Sequence, residues 1–173
     1  ELLMRGAIPE LDIDDPAEPS AEQLRDRAQA AEDAARAVSG VTNSEGGGAS
    51  AGVVVTALAT STGFRGGKRS TSHGTSASVL AGTGGDMQRD YAWHSARHLA
   101  DLESADEIGR RAGERAVRRL GPIKLETAAL PVVFDPRVGG SLLGHLVGAI
   151  TGGAIARGTS FLKDALATQV FDS

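Results

Sequence analysis

The 173-residue sequence contains no cysteine, and only 3% of it is aromatic. Without cysteine there is no disulfide framework, no thiolate nucleophile and no thiolate metal ligand. With so few aromatic rings, the core must rest on Ala, Val, Leu and Ile. Basic excess is missing too. The net charge is −4, where a general nucleic-acid binder carries a positive surface. The first residues show no basic stretch followed by an apolar one, so no signal peptide is expected, and a cytoplasmic location fits. The chain opens on Glu1 and closes just after Gln169-Val170-Phe171, which reads as the start of another element. We expect an internal piece of a longer polypeptide.

Long apolar runs are also scarce. The longest, Val138 to Ala156 between Arg137 and Arg157, borders on the length of a membrane span, with Gly144, Gly148 and Gly152 at four-residue spacing. His145 and the glycines inside it favour a buried helix, broken at Thr151-Gly152-Gly153, over a span.

What is present is 40% hydrophobic residues, enough for a buried core, and 23 glycines interleaved with apolar residues, which suit tight turns and close backbone approaches. Residues 1–19 hold Pro9, Pro16 and Pro19 and the acidic run Asp12 to Asp15, and read as an extended connector. Ser20 followed by Gln23 is a capping box, and Leu24, Ala28, Ala31, Ala35 and Val38 share one helical face that Gly40 ends. From residue 41 the composition turns to Thr, Ser, Gly and Val. Val53 to Leu58 reads as a buried strand, Gly66-Gly67 as a hairpin turn, Ser70 to Leu80 as a strand with one polar face, Gly82 to Asp86 as a second turn, and Met87 to His98 as a third strand. These strands predict an antiparallel meander.

A second capped helix starts at Ser104 with Glu107, carries Ile108, Ala112, Ala116 and Leu120 on one face, and stops at Gly121-Pro122. Its arginines alternate with Glu103, Asp106, Glu107 and Glu114, a pattern for internal ion pairing rather than phosphate contact. Ala129 to Phe134 then reads as a strand, and Asp135-Pro136 opens a helix with Val138, Leu142, Leu146 and Ile150 on one face. The fold class is therefore α+β: a strand meander flanked by two capped helices, then a strand-helix unit beginning a second domain. The expected division is connector 1–19, a middle domain over 20–126, and an incomplete C-terminal domain over 127–173.

Few residues carry a chemical signal. His94 and His98 stand four apart, but Ser95-Ala96-Arg97 between them supplies no general base, and on a strand they lie about 13 Å apart, too far for one metal ion. Both read as surface histidines. Gly46-Gly47-Gly48 lacks the Lys and Ser/Thr of a phosphate-binding loop and reads as a turn or bulge. Ser141 precedes His145 by four residues, a pair too common to mean nucleophilic catalysis.

Four segments in order carry a resemblance. Val41-Thr42-Asn43-Ser44-Glu45-Gly46, Gly85-Asp86-Met87-Gln88-Arg89-Asp90-Tyr91, the helix Gly140-Ser141-Leu142-Leu143-Gly144-His145-Leu146-Val147-Gly148-Ala149-Ile150 after Phe134, and Arg157-Gly158-Thr159-Ser160-Phe161-Leu162 resemble segments of the TldD/PmbA family, in its PmbA (TldE) branch. The resemblance implies a cytosolic two-subunit peptidase, historically labelled a modulator of DNA gyrase, active in proteolysis and peptide maturation. In TldD-type subunits an H-E-x-x-x-H motif holds zinc and activates water. On this chain the motif positions fall on Gly144, His145 and Ala149, so the resemblance carries over no metal ligand and no catalytic residue. It implies no cofactor in this chain, zinc in a TldD-type partner subunit, peptides or unfolded proteins as substrates of the pair, and His145 packed inside a degenerate site. Self-association stays open, and no nucleic-acid or membrane partner is expected. Two other readings remain: an active metallopeptidase with ligands from segments outside this sequence, and a binding protein that modulates DNA gyrase.

Overall fold

A computed structural model describes residues 9–171, which divide between Lys124 and Leu125 into two compact units. In the first, residues 9–19 run without helix or strand. The part of the expected connector before Pro9 lies outside the described residues.

Helix α1, Ala21–Arg36, begins where local chemistry demands it. The Ser20 hydroxyl accepts the Gln23 N–H, and the Gln23 side chain accepts the Ser20 N–H, so two otherwise orphaned donors are satisfied. The sheet follows as a meander of order β1-β2-β3: β1 Val41–Ala59, β2 Arg65–Ala81 and β3 Gln88–Ala96, all antiparallel. The glycine run falls inside β1. Gly46, with φ +115°, forms the expected bulge in the register opposite Ser78.

The first hairpin turn departs from expectation. Gly66 and Gly67 pair with Leu58 and Ala57 inside the ladder, and the chain reverses over Thr60 to Phe64. There the Thr60 N–H donates to the Phe64 carbonyl, the Phe64 N–H donates to the Thr60 hydroxyl, and Gly63 takes φ +93°. The loop chemistry of Thr and Ser overrode the Gly-Gly signal.

Helix α2, Ala105–Arg118, is capped by the Ser104 hydroxyl on the Glu107 N–H. Only this half of the expected box forms. The Glu107 carboxylate turns instead to Arg110 at 2.6 Å, and Arg110 also reaches Glu114 at 2.7 Å. Both helices pack on one face of the sheet. On that face β2 buries Thr71, His73, Thr75, Ala77, Val79 and Ala81, alternating with exposed Ser72 and Ser76. The core joins Ala31 and Ala35 of α1, Ile108, Ala112 and Ala116 of α2, and Ala77, Val79, Ala81 and Ala92 of the sheet. Alanine dominates because the backbones run very close. A Cβ on Gly109 would lie 2.9 Å from the Ala31 carbonyl carbon and nearer still to its oxygen.

Val53 to Leu58 forms strand as expected but is not buried: all six residues are exposed. β3 pairs with β2 only from His73 to Ala81, so the rungs from Gly52↔Ser72 to Ala59↔Arg65 extend past the third strand as a two-stranded ribbon.

In the second unit, Ala129 to Phe134 is exposed and forms no strand, because among the described residues no other strand pairs with it. Helix α3, Pro136–Ile150, starts as predicted, with the Asp135 carboxylate accepting the Arg137 N–H and Pro136 in the first turn. Thr151 ends α3 and opens α4, Gly152–Ala156. The apolar run is not the buried helix expected. Val138, Leu142, Leu143, Val147 and Ile150 are exposed, and Ala149 is the buried residue of α3. Among the described residues no helix is long and apolar enough to cross a membrane.

Candidate functional site

Three places gather candidate functional residues. The first is α3. Gly144, His145 and Ala149 all lie on it, and His145 is exposed rather than packed inside. The Ser141 hydroxyl donates to the Val138 carbonyl at 2.6 Å, so it is engaged with its own helix and not with His145. Ala149 is covered by the chain returning after α4, where the buried Ser160 hydroxyl donates to the Ala149 carbonyl at 2.7 Å. Of the three motif positions, one carries a side chain with a ligating atom. Among the described residues, no three His, Asp or Glu side chains are grouped so as to hold a metal ion.

The second place is where the segments 42–45 and 85–91 meet across β2. The Thr42 hydroxyl donates to the Gly82 carbonyl at 2.5 Å, tying β1 to the β2–β3 turn. Glu45, carried outward at the bulge, accepts from the Ser78 hydroxyl at 2.6 Å and from Arg89 at 3.3 Å. The Ser78 hydroxyl, with Arg89 second, holds the Glu45 carboxyl below its ordinary range. Asp90 is buried beneath, 3.6 Å from Arg119 of the chain just past α2. These motif residues fasten strands to one another. The neighbouring open face of the sheet carries exposed Tyr91 and Trp93 and a shallow groove of about 380 Å³ over Gly48, Ser50, Gly74, Ser76 and Trp93. Hydroxyls, small residues, Trp93 and the His94 imidazole line it, and no carboxylate does, so His94 has no carboxylate there to form an acid–base pair with.

The third place was not foreseen. His73, 3% exposed, points its Nε2 at Asp15 Oδ2, 3.3 Å away but poorly aligned for a hydrogen bond, and its Nδ1 has no hydrogen-bond partner among the described residues. Asp15 accepts the Leu99 N–H at 2.6 Å and the Ala17 N–H at 2.9 Å, and its own N–H donates to the Thr71 hydroxyl at 2.8 Å. The Leu99 N–H first, then that of Ala17, hold its carboxyl below the ordinary range against the opposing effect of burial, with the His73 and His98 imidazoles adding to the same shift. His98 Nε2 lies 2.9 Å from Asp12, and Arg69 pairs with Asp14. The acidic run of the connector is thus a strap bound across β2 and the end of β3. The His73–Asp15 pair is buried where the strap crosses β2. His94, the other histidine singled out, accepts the Glu103 N–H at Nδ1 (3.2 Å) and is separate from His98's partner. The acidic run reads in sequence only as an extended connector, and nothing in its spacing points to His73, which is remote in sequence.

A family model described as the PmbA/TldA metallopeptidase central domain matches residues 14–120, and one described as the PmbA/TldA metallopeptidase C-terminal domain matches residues 127–173. The chain belongs to the PmbA/TldA metallopeptidase family. Among PmbA/TldA relatives, it is 41% identical over 171 residues to Metalloprotease PmbA of Escherichia coli O157:H7, covering 98% of this chain and 38% of the relative. With the Metalloprotease PmbA homolog of Haemophilus influenzae it shares 36% identity over 95 residues, 55% of this chain and 21% of the relative. A crystal structure from Bacteroides thetaiotaomicron, of a protein described as a candidate modulator of DNA gyrase, matches with TM-score 0.83 and 27% identity over 92% of this chain and 37% of that one. One from Thermotoga maritima, described in the same way, shares the fold with TM-score 0.85 at 20% identity, over 98% and 40% of the two chains. The chain therefore spans well under half the length of these relatives and solved structures.

Proposed function

We propose that this chain is part of a PmbA (TldE)-type subunit of a cytoplasmic, two-subunit zinc metallopeptidase that degrades or matures peptides, and that this subunit binds no catalytic zinc of its own. The observation that carries the reading is the chemistry of three positions on α3. A catalytic zinc needs three protein ligands and an open position. Gly144 and Ala149 have no ligating atom in their side chains, and His145 supplies a single imidazole in the place of a glutamate. The residues present do not fit the group. Zinc and the base that activates water then belong to a TldD-type partner, and peptides or unfolded proteins are the substrates of the pair. The name of the Escherichia coli relative supports the proteolytic setting.

The test is to purify the intact protein alone and together with a TldD-type subunit, and to measure zinc by mass spectrometry and cleavage of a fluorogenic peptide. The expected result is neither zinc nor cleavage from the protein alone, both from the pair, and no change in either on His145→Ala. Stoichiometric zinc with chelator-sensitive cleavage by the lone protein would overturn the reading.

A further inference from the structure

The ribbon of β1 and β2 that extends past β3 lies outside the core. Its eight rungs, from Gly52↔Ser72 to Ala59↔Arg65, span about 25 Å at ordinary strand rise. A two-stranded ribbon is marginal in water by itself, and this one exposes apolar side chains on both faces. Val53 (48% exposed) and Val55 (75%) point to one side, Val54 (58%) and Leu58 (57%) to the other. Among the described residues its edges are largely open as well: the outer edge of β1 pairs with no strand, and β2 beyond His73 is met at Thr71, where the Thr71 N–H donates to the Ile13 carbonyl of the strap at 2.9 Å, the Thr71 hydroxyl donates to the Arg97 carbonyl at 2.8 Å and the Arg97 guanidinium donates to the Thr71 carbonyl at 3.0 Å. Open edges and paired apolar faces are what proteins normally cover.

The charge of the ribbon is of one sign. From Gly46 through Gly85 there is no Asp or Glu, whereas Arg65, Lys68 and Arg69 all lie on its β2 side, in a chain whose net charge is −4. Arg69, at the base, is already taken by Asp14 and Glu18 of the strap. Arg65 and Lys68, nearer the tip, have no ion-pair partner among the described residues.

We infer that this ribbon is an arm that docks into a second protein subunit, in a cleft with apolar walls and a carboxylate rim. The identity of that subunit as TldD-type rests on the proposed function. Apolar residues on both faces require an occupant that encloses the arm, which a protein cleft does. A nucleic-acid backbone offers nothing to Val53, Val54 or Val55. A membrane entered tip-first would meet Thr60-Ser61-Thr62-Gly63, which is polar. The pairing of Arg69 with Asp14 and Glu18 shows within this chain the carboxylate chemistry that Arg65 and Lys68 are left to make outside it. Apolar anchors set the lifetime of such a complex, and rim charges its encounter rate and salt dependence.

The experiment measures binding of the intact protein to a purified TldD-type subunit by sedimentation velocity, at low and high salt. Three variants are compared with the wild type: Val55→Asp, the double variant Arg65→Glu with Lys68→Glu, and a control, Arg25→Glu, on the exposed face of α1. Circular dichroism and thermal melting of each verify folding. In the described residues all the altered side chains are exposed, and a lowered melting midpoint for Val55→Asp in the intact protein would place the arm against the rest of its own polypeptide and overturn the docking. Val55→Asp is expected to weaken binding tenfold or more. The double charge reversal is expected to weaken it several-fold at low salt and little at high salt, with the control unchanged. Wild-type affinity retained by both arm variants would overturn the arm while leaving the two-subunit reading intact. No binding by the wild type would overturn both. Self-association of the lone wild type that Val55→Asp abolishes, or binding of the wild type to phosphatidylserine vesicles or duplex DNA that the arm variants lose, would replace the proposed occupant.

Discussion

The close approach of α1 and α2 can be tested at one atom. Gly109→Ala places a Cβ 2.9 Å from both the Ala31 carbonyl carbon and the Ala34 Cβ, and closer to the Ala31 oxygen, where ordinary contacts begin at 3.4 Å. The obstacle is largely backbone, so no rotamer change relieves it, and α1 must retreat by roughly half an ångström or more. A gap of that size forfeits about a quarter to a half of each contact's attraction, along an interface that includes Ala31, Ala35, Ile108 and Ala112. Overpacking of this kind costs about 3 kcal/mol when the neighbours cannot yield, and the better helix propensity of alanine returns about 1 kcal/mol. The net expectation is a loss of about 2 kcal/mol, or a fall of roughly 8 °C in the melting midpoint for a unit of this size. Urea titration and calorimetry of the intact protein measure it. A midpoint unchanged or raised would mean that helix propensity alone governs position 109, and the account of the interface would be wrong.

Three further outcomes follow from the same structure. Ile108→Ala, at a fully buried side chain, should cost about 2–5 kcal/mol by urea titration, whereas Val133→Ala, 96% exposed, should stay within about 0.5 kcal/mol. Asp15 has its pKa depressed in the fold, so its contribution is complete above the ordinary value of 3.8 and disappears as pH falls through the lower folded value. Asp15→Asn should therefore lower stability near pH 6 and flatten the decline below pH 4; curves running parallel to the wild type's would refute this. Gly144→Ala meets nothing within 4 Å and removes a flexible residue from α3, so it should raise the helical circular dichroism signal; an unchanged or weaker signal would refute this.

Where structure is decided within a few residues, the sequence displayed it. Ser20 with Gln23, Ser104, and Asp135 with Pro136 mark helix starts because a cap is satisfied by its nearest neighbours. The alternation from Thr71 to Ala81 shows β2 and its buried face. Pairing and coverage are not local. The apolar run Val53 to Leu58 reads alike whether or not a third strand lies beside it, and Ala129 to Phe134 has strand composition without a strand to pair with. His73 and Asp15 meet only because the connector folds back across β2, which no spacing reveals. At the candidate site, periodicity showed an apolar helix with one histidine; the meaning of Gly144 and Ala149 came from the resemblance alone.

A core made mostly of alanine also shapes the response to temperature. Alanine has no rotamers to freeze, so packing Ala31, Ala35, Ala77, Ala112 and Ala116 orders the interior with little side-chain entropy to overcome. The same economy removes little hydrocarbon from water per residue, and the heat-capacity change on unfolding follows that area. The first unit should therefore have a shallow stability curve, changing little between cold and warm. Its native state is held by the nearness of its backbones more than by the bulk of its side chains.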